Sequence, residues 1–146
     1  MPCDNTDTTA TKQHRYMATS SIFVGMRMLI DDIGSIAVTV SDVKKSKKWY
    51  VEKLGFKLQD DEDHWVVVTP PGSPVGLHLC EVEKLEPGNT GITLRTDNLE
   101  ATYQTLKSNG VQFSRELAPS EWDKKMKYAM LKDLDGNEFW LISKSA

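Results

Sequence analysis

The sequence has little cysteine, no basic surplus and no long apolar run, and each shortage excludes something. Two cysteines in 146 residues, Cys3 and Cys80, make no disulfide scaffold and show neither metal-type nor redox-type spacing. Eighteen Lys and Arg against twenty-one Asp and Glu leave a net charge of −3, which argues against a nucleic-acid partner. The apolar run Ile22 to Ile30 is broken by Gly25 and Arg27, whereas a membrane span needs about 20 apolar residues. Asp4 and Asp7 stand where a signal peptide carries basic charge, so a cytoplasmic location is expected. A Gly-rich phosphate loop, a Gly-x-Ser-x-Gly elbow and a paired-His helix are all missing, which leaves hydrolase, kinase and nicotinamide chemistry without support. What remains is a chain 39% apolar, enough for a globular core, of a length that suits one domain or two half-domains sharing one.

Residues 1–30 are rich in Thr, Ser, Asp and Asn without periodicity, and predict a mobile or loosely docked extension. From Ile33 the pattern is regular. Ser35 to Val40 alternates with period two as a strand does, Ser41-Asp42 supplies a helix cap, and Val43, Lys47, Tyr50, Val51 and Leu54 recur at helical spacing up to Gly55. Strands are expected over Phe56 to Asp60, His64 to Thr69 and, after Pro70-Pro71-Gly72-Ser73-Pro74, Gly76 to Val82. The plan then repeats. Ser35 lies on Gly91 at an offset of 56 residues, with Asp42 on Asn98 and Val43 on Leu99; past the helix the offset is 55, with Gly55 on Gly110 and Phe56 on Val111. A last hairpin, Met126 to Lys132 and Glu138 to Ser143, turns at Asp135-Gly136-Asn137. The fold class is therefore α+β, two tandem βαβββ modules (about 33–84 and 89–143) within a single domain over 31–146, each module too small to bury its sheet alone.

Val40-Ser41-Asp42-Val43, Trp49-Tyr50-Val51-Glu52-Lys53-Leu54-Gly55-Phe56 and Lys132-Asp133-Leu134-Asp135-Gly136-Asn137-Glu138-Phe139, in that order and spacing, resemble the vicinal oxygen chelate superfamily of glyoxalase I, bleomycin-resistance proteins and extradiol dioxygenases. The resemblance implies a curved mixed sheet around a cavity, and pairing as a homodimer with sites near the interface. Metal-bearing members place ligands at four strand positions, which carry over to Ser35, His78, Gly91 and Trp140. Of these only His78 is a credible ligand, since glycine has no side chain, indole only donates, and a serine hydroxyl is a poor donor set for a divalent ion. No metal and no other cofactor is expected.

Alternation places Ser35, Ala37 and Thr39, then Gly76, His78 and Cys80, then Gly91, Thr93 and Arg95, and finally Glu138, Trp140 and Ile142 on the cavity face, with Ile36, Val38 and Val40 under the helices. The expected ligand-binding residues are Trp65, His78, Arg95, Trp122 and Trp140, with a small organic molecule stacked on indole and anchored by the cation and imidazole. Trp122 lies in the Pro119 to Lys125 loop, where relatives carry a lid. Two enzymatic alternatives stay open: a lyase or dioxygenase with a displaced metal site around His78 with Glu138 or Cys80, and a metal-free isomerase or lyase with His78 or Glu138 as base. His64 among Asp60 to Asp63 reads as a solvated turn, Lys44 to Lys48 as the solvent face of the first helix, and Cys80 as a small buried hydrophobe.

Overall fold

The computed structural model describes residues 29–145, so the expected N-terminal extension, but for Leu29 and Ile30, lies outside the described residues. The elements run β1 (Ser35–Val40), α1 (Val43–Leu54), β2 (Lys57–Glu62), β3 (Trp65–Thr69), β4 (Gly76–Glu81), β5 (Asn89–Thr96), α2 (Leu99–Ser108), β6 (Gln112–Pro119), β7 (Lys127–Lys132) and β8 (Glu138–Ser143). They form two four-stranded mixed sheets, β1-β4-β3-β2 and β5-β8-β7-β6, each with one parallel pair, β1 with β4 and β5 with β8. The architecture is the expected pair of α+β modules. No helix among the described residues is long and apolar enough to cross a membrane.

The repeat is carried atom by atom. The Asp42 side chain accepts from Lys45 N at the start of α1, and Asn98 accepts from Ala101 N at the start of α2. Phe56 N donates to Tyr50 O after α1, as Val111 N does to Leu106 O after α2. Val82 N donates to Val40 O in the first module and Lys144 N to Thr96 O in the second. Gly55 ends α1 at φ 72, a left-handed backbone that costs a glycine little.

Strands β2, β3, β4 and β7 differ from the expected boundaries by one or two residues. Strand β2 begins after Phe56, which is buried, and runs on to Glu62 because Asp61 and Glu62 pair with Val66 and Trp65 across a two-residue turn. That turn holds the exposed His64, the solvated place its acidic neighbours predicted.

One apolar core joins the modules. Val38, Val40, Tyr50, Val68, Leu77 and Leu79 of the first pack in one cluster with Leu106, Ala129, Leu131, Phe139 and Leu141 of the second. The helix-side faces of both sheets therefore meet within the chain, and the opposite, outward faces are unequally covered: Val67, His78 and Cys80 of the first are buried, whereas Trp140 of the second is half-buried. Each fully buried side chain of this kind stabilises by about 1.5–3 kcal/mol over its exposed state.

Across this core runs a polar seam. Tyr50 Oη donates to Asp133 Oδ2 at 2.7 Å, while Asp135 N and Asn137 N both donate to Asp133 Oδ1 at 2.9 Å. Asn137 Nδ2 donates to Asp133 Oδ2 and to Thr39 O, and Ser41 donates to Asp135 through both its amide and its hydroxyl. The Asp133–Asn137 segment, expected only as a hairpin turn, thus also ties the β7–β8 end to β1 and α1. Burial, then the Asp133 charge, pushes the Tyr50 phenol far above its ordinary range, so it stays a donor.

Candidate functional site

The outward faces carry two aromatic clusters, one on each sheet. On the second, Trp140 is half-buried on β8 and stacks on Tyr128 of β7, with ring centroids 4.5 Å apart and planes at 22°. Trp122 stacks on Tyr128 at 5.4 Å and leans on Trp140 at 6.1 Å, while remaining 61% exposed. The guanidinium of Arg115, on β6, lies 3.7 Å over the Tyr128 ring.

Hydrogen bonds fix this cluster from behind. Arg115 Nη1 donates to the Ala118 and Tyr128 carbonyls, and Nη2 to Pro119 O and Glu121 Oε1. Tyr128 Oη donates to Glu121 Oε2 at 3.1 Å, and Trp140 Nε1 to Asn89 Oδ1 at 3.3 Å. A backbone hydrogen bond at Glu121 and the Arg115 contact hold the Glu121 carboxyl below its usual range; loss of surrounding water and the bond to Glu121 raise the Tyr128 phenol. Trp122 rides on a tight loop in which Ser120 N donates to Met126 O and Asp123 N to Ser120 Oγ.

On the first sheet, Trp65 and His78 stack at 4.1 Å and 33°. His78 is 3% exposed, and the Sγ of Cys80, which is disulfide-bonded and not the simple buried hydrophobe expected from the sequence, lies 3.5 Å from its Nδ1. The five expected ligand residues are thus distributed: Trp122 with Trp140, Trp65 with His78, and Arg95 on β5, two residues beyond the rung that pairs Thr93 with Trp140. Tyr128 and Arg115 escaped the sequence reading. The signal for Tyr128 was present, since β7 pairs Met130 with Trp140 and alternation puts Tyr128 on the same face. Arg115 carried none, because β6 shifts register on both sides of it.

Three of the four carried-over metal positions, Ser35, His78 and Trp140, fall on the faces opposite the helices. Ser35 and His78 sit on the paired strands β1 and β4, and Trp140 on β8, beside the strand that carries Gly91. Gly91 adopts φ 72 at an irregularity in that strand. This donor set does not fit a divalent ion. Among the described residues no three His, Cys, Asp or Glu side chains gather, and His78 and Cys80 lie on a different sheet from Glu138.

A cavity of about 680 Å³ lies elsewhere than expected. It opens between the modules on their helix side, over Ile36, Leu77, Leu94 and Leu141, and of the five expected ligand residues only Arg95 lines it. Ile36, expected under the helices, consequently keeps 39% of its surface exposed, against 2% for Val38.

The fold defines a class, and the comparisons agree: residues 32–141 match the model of the Glyoxalase/Bleomycin resistance protein/Dioxygenase superfamily, and the chain belongs to that family. It is 32% identical over 121 residues to YetH of Bacillus subtilis, a protein without an assigned function, across 77% of this chain and 98% of YetH. Among solved structures it is similar to a superfamily member from Sphaerobacter thermophilus, with 30% identity, a TM-score of 0.70 and coverage of 80% and 100% of the two chains. It is also similar to TnmS3, an antibiotic binding protein from a Streptomyces species, with 32% identity, a TM-score of 0.69 and coverage of 80% and 98%.

Proposed function

We propose that this chain binds a planar organic molecule without a resident metal, on the outward face of its second sheet. The observation that carries this is the Trp140–Tyr128–Trp122 cluster, an aromatic surface held from behind by Arg115 and Glu121 while Trp122 stays open to solvent. Stacking on such rings stabilises a planar ligand with little conformational cost, because the platform is already ordered. The likeness to an antibiotic binding protein supports the same reading. The donor set at the four metal positions supports binding over metal-dependent lyase or dioxygenase chemistry. His78 and Trp65 would form a second, drier half-site, and a second copy of the chain facing these outward surfaces would close the site; the expected homodimer belongs to this proposal. So does the cytoplasmic location.

The test is a titration of tryptophan fluorescence with two planar tricycles, cationic proflavine and anionic anthracene-2-carboxylate. Saturable quenching by one of them, weakened about tenfold in Trp122→Ala, is the expected result, since one ring stack contributes about 0.5–1.5 kcal/mol beyond its buried area. Quenching unchanged in both Trp122→Ala and Trp140→Leu would remove the aromatic face from consideration.

A further inference from the structure

We infer that the hollow between the modules is a second ligand site, built for an amphipathic carboxylate. In one half of the molecule, the turn Asp133–Asn137 is gripped by Thr39, Ser41, Ser46 and Tyr50 of the other module. At the repeat offset those four positions become Arg95, Asp97, Thr102 and Leu106, and all four line the cavity. The turn that faces them is Pro70 to Val75, which also lines it. That turn offers prolines where the other offers two carboxylates and an amide, so nothing from the first module fills the place that Asp133 fills in the second. The cavity is the unfilled copy of a filled site.

Its chemistry follows from the substitutions. Leu106 stands for Tyr50, so the deep wall is apolar, and Ile36, Ile92 and Leu94 extend it while keeping part of their surface uncovered. Apolar atoms on the edge of a void have lost their packing partners and gain them from a ligand's hydrocarbon. Arg95 stands at the position of Thr39, which holds the other turn through its backbone carbonyl alone. Lys144 is paired with Asp97 at 3.8 Å, whereas Arg95 makes no hydrogen bond or ion pair among the described residues. An unengaged cation on a residue that borders an apolar hollow favours a carboxylate head on an alkyl or aryl body. The volume lies within the range of ordinary ligand pockets. The head group would stand near the Arg95 rim, where the other half has the carboxylates of its own chain.

The test uses the full chain with methyl-labelled Ile, Leu and Val, titrated with decanoate and separately with 1-decanol, below micelle formation. Decanoate is expected to shift the Ile36, Ile92 and Leu94 methyl resonances saturably. Arg95→Gln, an exposed substitution without a fold penalty, should weaken decanoate about tenfold, the effect of one charge-assisted hydrogen bond, and leave 1-decanol unchanged. Ile92→Trp, which fills the hollow, should abolish both. Shifts absent from those methyls, shifts confined to the surroundings of Trp140, or equal binding of decanoate to the wild type and Arg95→Gln would each overturn the proposal.

Discussion

Two turns hold the same place in the repeat and do opposite things. The β7–β8 turn buries Asp133 and Asn137, at 7% and 5% exposure, and bonds across to the first module. The β3–β4 turn, Pro70 to Val75, closes on itself through Ser73 N to Pro70 O and Ser73 Oγ to Val75 O, and borders the hollow. Equivalent backbones therefore did not require equivalent interiors. One half spends its turn on joining the modules; the other leaves space at the same joint. A buried carboxylate with several donors is rigid and specific, whereas an apolar wall beside an open rim can accept something from outside.

The largest way to break this contrast is Asp133→Ala. It strips the acceptor from Tyr50 Oη, the Asn137 amide and two backbone N–H groups at once. We expect a loss of about 3–4 kcal/mol in urea unfolding, since each orphaned buried donor costs about 1–3 kcal/mol and some recover water. Tyr50→Phe should cost less, about 1–2 kcal/mol, because Asp133 keeps its other donors. It also carries a pH signature. The folded-state pKa of Tyr50 is raised by burial and then by Asp133, so its contribution is fully present below the ordinary value of 10.0 and falls as pH rises above it. Unfolding midpoints of the wild type should therefore drop on going from about pH 9 to pH 11, and Tyr50→Phe should flatten part of that drop. An identical alkaline slope in the two proteins would show that the seam does not stay closed around a neutral phenol.

Much of the fold was legible because alternation, caps and the offset between modules are local signals. Asp42 and Asn98 announced both helices, and Asp135-Gly136 the last hairpin. The aromatic face was half legible: Trp122 and Trp140 carried their signal in type and spacing, while Arg115 depended on register shifts in β6 that no periodicity reveals. The hollow between the modules went unread for a different reason. Alternation tells which face a residue takes, not which of two faces the rest of the chain covers, and here the helix-side faces meet imperfectly around Ile36. Asp133 was read as turn chemistry since a carboxylate in a hairpin needs no further partner; only the tertiary approach of Tyr50 made it a joint.

The smallest effect is the sharpest control. Ser73→Ala removes both hydrogen bonds that Ser73 Oγ makes within its turn, but these are local and reach neither α2 nor β5. We expect a change within about 0.5 kcal/mol, as for a substitution that leaves no cavity and no distant partner unpaired. Because Ser73 sits on the wall of the hollow, the same variant should leave decanoate binding nearly as it was, the head group being held by Arg95 and not by the turn. A destabilisation approaching that of Asp133→Ala would mean that the Pro70 turn is a joint after all. The two halves would then be alike in what holds them, and the unfilled site would have to be explained without the repeat.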